Sequence, residues 1–251
     1  MLRLLAVGIV ALAMPLAALA SAIVESLKGE VQAGGAPIFQ GQRLFPGSTI
    51  TTGAGAQVFL RFDDGMQIVV NENSLFRVVD FSFGTSSRLP DRVVLDLLRG
   101  AARVSTGAIV AKNAKEFYFS TPQAQFGVQG PADFTVALVN PAYIAVTHGT
   151  VLASNGAGTV ALGAGSNSIV ASSVTLATPA PPSSFPPTAS SAMNNLSTAA
   201  VTPPGTAPGA PGVAGAPGIG APLPLIGAAA LIAAIAAAAD KDEDPTPPSH
   251  H

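Results

Sequence analysis

Asp63 and Asp64 stand side by side about a quarter of the way along the chain, and adjacent carboxylates of that kind can share a proton or hold a calcium ion. Gly65 follows them directly, and Asp-Asp-Gly between two β-prone runs is also a plain hairpin turn, because glycine accepts positive φ. His148 precedes Gly149 at a break between two alternating runs, and outside the last two residues no second histidine exists to complete a metal set with it. Ser48, Ser120 and Thr121 have no histidine partner that would make one of them a nucleophile. Gly53-x-Gly55 follows a strand-like run but opens no helix, so it is not a dinucleotide fingerprint. The chain has no cysteine, which removes disulfides, thiolate metal sites and lipid-modified cysteine. This inventory predicts a protein that is not an enzyme and that holds no cofactor or metal.

The elements that must position these residues are strands. From Ile23 the sequence runs in short apolar/polar alternations broken by glycine. Ala56–Phe62 and Met66–Val70 flank the Asp-Asp-Gly turn. Leu75–Phe83, Arg92–Leu98, Ala101–Ser105, Glu116–Ser120, Ala132–Val139, Tyr143–Thr147, Thr150–Ser154 and Thr159–Leu162 read as further strands. No stretch of this region has a helical period. Many short strands at about 8–12-residue spacing predict an all-β domain, an antiparallel sandwich or a β-roll/solenoid-like fold, over residues 23–176. Ten basic and ten acidic residues balance between Ile23 and Leu176, and the whole 251-residue chain carries a net charge of −2, so nothing points to nucleic acid.

The order of several short pieces resembles the FecR-like periplasmic domain, the family of bacterial iron-dicitrate sensing regulators. The pieces are Gly29-Glu30-Val31, Leu44 with Gly47–Thr52, Phe62–Gly65, Leu98-Arg99-Gly100, the stretch Thr121–Phe134, and His148–Val151. Family members carry T-P-x-A, then V-R-G-T, then a phenylalanine. Thr121-Pro122-Gln123-Ala124 matches the first part. Gln129 stands at the arginine position, Pro131 replaces threonine, and Phe134 arrives one residue late. Losing the arginine removes a planar, always-charged donor, and Pro131 removes a backbone N–H. The resemblance implies a periplasmic, non-enzymatic module that passes a signal between an outer-membrane transducer and a sigma factor. It places the candidate partner-binding corner at Thr121, Pro122, Gln129, Gly130 and Phe134, with a tight strand-to-strand corner as the purely structural alternative. Apolar sequence begins at Leu2, so no cytoplasmic regulator segment is expected ahead of a span, and transmembrane sigma regulation is not expected.

The two ends differ from the centre. Met1–Ala22 reads as an export signal: Arg3, an apolar run to Leu19, and small-x-small sites at Ala18–Ala20 and Ala20–Ala22. An uncleaved anchor is the alternative, since the run approaches the roughly 20 residues a span needs. Residues 177–222, rich in Pro, Ala, Ser, Thr and Gly, read as a disordered linker. Residues 223–239 read as a short apolar helix, with nine alanines between Leu225 and Ala239, followed by an acidic tail over 240–251. At 1.5 Å per residue, Leu225–Ala239 is about 22 Å long, short of a membrane's core, so assembly or surface docking is preferred over spanning.

The expectation is therefore an exported envelope protein of the periplasm or cell surface, binding a protein or glycan partner. Two alternatives stand beside it: a secreted surface subunit that assembles as a homo-oligomer through Leu225–Ala239, and a periplasmic sensor or regulator tied to iron or metal uptake.

Overall fold

A computed structural model describes residues 20–84 and 90–197. The expected apolar helix and acidic tail, and all but the last residues of the export signal, lie outside the described residues.

The strands are β1 (Ala22–Lys28), β2 (Val31–Ala33), β3 (Ala36–Pro37), β4 (Arg43–Leu44), β5 (Thr49–Thr52), β6 (Gln57–Phe62), β7 (Gln67–Val70), β8 (Leu75–Ser82), β9 (Arg92–Ser105), β10 (Phe117–Ser120), β11 (Gln125–Val128), β12 (Asp133–Leu138), β13 (Ala142–His148), β14 (Thr150–Asn155), β15 (Gly158–Gly163), β16 (Asn167–Val170) and β17 (Thr178–Pro179). They form two layers that share β9. One layer runs β4-β1-β6-β7-β9-β12-β13-β16-β17, the other β3-β2-β5-β8-β9-β10-β11-β14-β15. We call them the first and second sheet. The chain crosses between them every one or two strands, which is the winding of a β-roll pressed into a sandwich. Neither sheet closes into a barrel. The all-β expectation therefore holds, and the alternation explains it. Val58, Leu60 and Phe62 of β6, and Val93, Leu95 and Leu97 of β9, turn to one common core while their neighbours turn out.

β9 does more than the sequence suggests. Arg92–Leu98 and Ala101–Ser105 read as two strands, but they are one 14-residue strand that leaves the second sheet and enters the first. Gly100 makes the passage, with φ of +86°. A Cβ at Gly100 would stand 2.6 Å from the Cα of Ser74 and closer still to its hydroxyl, so no side chain fits there. The Ser74 hydroxyl uses the gap to accept from the Ala101 N–H at 3.1 Å.

Among the described residues one α-helix interrupts the strands and a second follows them. α1 (Ala108–Lys112) is five residues long, too short to leave a periodic signal, and buries Ile109 and Val110. α2 (Pro187–Ser197) lies in the stretch read as a disordered linker from residue 177. That expectation is corrected for residues 178–197: β17 pairs with β16, and α2 packs on the outer face of the first sheet. Ala189, Met193 and Leu196, at helical spacing, cover Val69, Ala101, Ala137 and Tyr143 together with Phe185. Serine, alanine and asparagine give this helix a linker's composition, while its few apolar residues fall on one face.

Candidate functional site

The stretch from Thr121 to Phe134 wraps around β11. At its start the Thr121 N–H and hydroxyl both donate to the Ala124 carbonyl, at 2.9 and 2.8 Å, and the hydroxyl accepts from the Ala124 N–H at 3.1 Å. Threonine, with Pro122 presetting φ, thus builds the tight turn from β10 to β11. Pro122 is exposed, and the Gln123 side-chain oxygen is buried with no hydrogen-bond partner.

The other end of β11 meets a second family-like piece. The Gln129 N–H donates to the Thr150 carbonyl at 3.1 Å while the Gln129 side chain is exposed. Gly149, with φ of +79°, packs against the Pro131 carbonyl, and a Cβ there would stand 2.9 Å from the Ala132 Cα. Thr106 clamps the same loop: its hydroxyl accepts from the Ala132 N–H at 2.9 Å, and its own N–H donates to the Ala132 carbonyl at 3.0 Å. Pro131 is accommodated because its N–H would lie in this loop, before β12 starts.

The five residues of the expected corner do not form one surface. Thr121 and Pro122 lie before β11 and Gln129 and Gly130 after it, with four strand residues, about 13 Å, between the ends. Phe134 is wholly buried, with its ring edge-on to Phe117 and Phe119 at 6.3 and 5.7 Å. It is withdrawn as a contact residue: the alternation that starts β12 turns it to the core.

A buried ion pair missed by sequence reasoning sits between β9, β12 and α2. The Arg103 guanidinium donates to both carboxylate oxygens of Asp133, through Nε and Nη2, each at 2.9 Å. Its Nη1 lies 3.4 Å from the Leu196 carbonyl in the last turn of α2. Bidentate geometry and a helix C-terminus, where cations are favoured, hold this charge out of water. Clefts flank α2. One of about 520 Å³ is lined by Glu72, Arg99, Leu138, Pro187 and Ala192, and one of about 500 Å³ by Thr135, Thr147, Phe185 and Met193.

The adjacent carboxylates part company. Asp63 accepts from the Ser21 N–H at 2.7 Å and lies 3.9 Å from Arg43. Asp64 turns inward to accept from the Met66 and Ile109 N–H groups at 3.0 and 3.4 Å, so it fastens the start of α1 to the β6–β7 hairpin. Burial pushes its carboxyl above the usual carboxylate range, against these hydrogen bonds. Both roles are structural. His148 is exposed at the end of β13. Among the described residues no three of His, Asp and Glu are grouped to hold a metal ion.

Residues 48–152, from the start of β5 into β14, match the family model described as FecR protein. Two crystal structures of a candidate anti-sigma factor from Parabacteroides distasonis are similar at 19% and 18% identity, with TM-scores of 0.41 and 0.39. Each comparison covers 53% of this chain and 57% of the other, so the chain spans little more than half the length of those structures. No curated protein matches.

Proposed function

We propose that this protein is an envelope sensor or regulator that works by binding a protein partner through its FecR domain, and not by catalysis. The observation that carries the reading is the FecR match across the central strands of both sheets. Two further features support it. Asp64, one of the acidic pair that could have done chemistry, is used in holding the hairpin to α1. The motif pieces that resemble the family, Gly100 and Gly149 among them, sit at close backbone approaches that fix the fold and leave exposed surface for a partner.

The compartment follows from the Met1–Ala22 export reading and is part of the proposal: the β-domain works outside the cytoplasm. Glycan recognition and self-assembly through Leu225–Ala239 draw on no feature of the described residues, so a protein partner and a regulatory role are preferred. The match to a regulator family moves the emphasis there from the broader expectation of an envelope binder.

The test is photo-crosslinking in the native host. A photoreactive residue is placed in turn at exposed positions, including Pro122, Gln129 and Ala161, and spheroplasts are probed with protease. A domain cleaved only from outside and crosslinked to one defined protein is expected. A domain protected in the cytoplasm, or crosslinks no different from a scrambled control at every position, would reject the proposal.

A further inference from the structure

The edges of the two sheets are not alike. β3, β4 and β17 are two-residue strands; Pro37 and Pro179 sit in two of them and Arg43 in the third. Short length, proline and charge are the devices that keep a sheet edge from pairing with another chain. β15 has none of them: it is six residues long, Gly-Thr-Val-Ala-Leu-Gly, without proline or charge, and among the described residues it pairs only with β14. The two-residue turn Gly156–Ala157 makes Asn155 and Gly158 the closing pair of that ladder. Alternation then turns the N–H and C=O of Thr159 and Ala161 away from β14.

A cleft of about 470 Å³ runs beside this edge, lined by Val160, Leu162, Ser168, Ala180, Pro181 and Pro182 and by neighbouring neutral residues, none of them charged. It opens where the sandwich is left unclosed between β15 and the β16–β17 edge. Ser168 lines it on the core side, and its hydroxyl is wholly buried without a hydrogen-bond partner. A free strand edge, an uncharged slot beside it and an orphaned hydroxyl buried at the slot's core-side wall fit one kind of occupant.

We infer that β15 is a strand-addition site for an extended, uncharged peptide segment of a partner protein. The segment pairs its backbone with Thr159 and Ala161. Alternate small side chains enter the cleft, and as binding opens its core-side wall one with a hydroxyl or amide satisfies Ser168. An uncharged lining argues against a charged segment, which would lose its hydration there. The inference rests on the reading that this domain acts by binding a protein, and it names the place.

The probe is a blocked hexapeptide of alternating threonine and valine, added to the full chain and followed by hydrogen exchange and NMR titration. The Thr159 and Ala161 amides should exchange freely alone and slow with probe. Ala161→Pro, which removes an outward N–H, and Thr159→Lys, which charges the exposed edge, should weaken binding at least about tenfold. Ser168→Ala should weaken it less, and Val79→Lys, exposed on β8, not at all. If Ala161→Pro fails to fold, Thr159→Lys decides. Unchanged exchange with probe, or unchanged affinity in Thr159→Lys, overturns the site. Protection of both amides without probe overturns the occupant: concentration-dependent protection assigns the edge to a second copy, concentration-independent protection to this chain itself. A protein crosslinked elsewhere on the domain, with β15 silent, sinks strand addition and leaves the regulatory reading standing.

Discussion

Arg103 and Asp133 show how much a single buried pair decides. Arg103→Met leaves the Asp133 carboxylate buried without its partner and should cost about 3–5 kcal/mol in denaturant unfolding. Arg103→Met with Asp133→Leu should recover most of that loss, because the uncompensated charge is gone. Asp64 makes a pH prediction of its own. Its folded pKa is raised above the unfolded value of 3.8, so the folded state binds the proton more tightly. The contribution to stability is full below 3.8 and is lost as pH rises through the folded value. Unfolding followed from pH 3 to neutrality should therefore show wild type losing stability relative to Asp64→Asn, with the direction reversed if the carboxyl were held ionised. Some of this is legible from residues alone. Thr121-Pro122-Gln123-Ala124 announces its turn, since threonine and proline at that spacing have one easy local conformation. The Arg103–Asp133 pair is not, because 30 residues separate the partners and only the β9–β12 register brings them together. Asp64 reads as a turn residue because its second partner, Ile109, lies 45 residues away.

At the scale of elements, the strands are the readable part. Period-two alternation is a local property, and several interruptions are marked by turn pairs such as Asp64-Gly65, Asn140-Pro141 and His148-Gly149. The reading fails where an element depends on what it touches. β9 looks broken at Gly100, yet the glycine lets one strand serve both sheets. α2 looks like linker because serine and asparagine are poor helix formers, and the helix persists by burying Ala189, Met193 and Leu196 on the first sheet. Leu196→Ala should then cost about 2–5 kcal/mol, the usual loss for a buried leucine. It should also loosen the carbonyl that faces Arg103. An α2 that contributed nothing to the fold would give a loss indistinguishable from that of an exposed substitution such as Ser191→Ala. Ser168→Ala tests the β16 strand in the opposite sense. Its hydroxyl is buried without a partner, so its removal should leave the free domain as stable or more stable, by up to about 1 kcal/mol.

For the molecule as a whole, two sheets surround one core, and Asp64 and the Arg103–Asp133 pair are used in holding its elements together. What remains for function is surface: the exposed turns at both ends of β11, the clefts beside α2 and the open edge of β15. The sequence pattern locates the first of these and is silent on the others, since a cleft or an edge belongs to the packing of distant elements. On the proposed reading the protein regulates by binding. Transcript profiling of the native host decides it, comparing the parent, a strain lacking this gene and the same strain complemented with the full chain. A small, coherent set of transcripts should shift on deletion and return on complementation. Transcripts unchanged by deletion, across iron-replete and iron-limited growth, would contradict it.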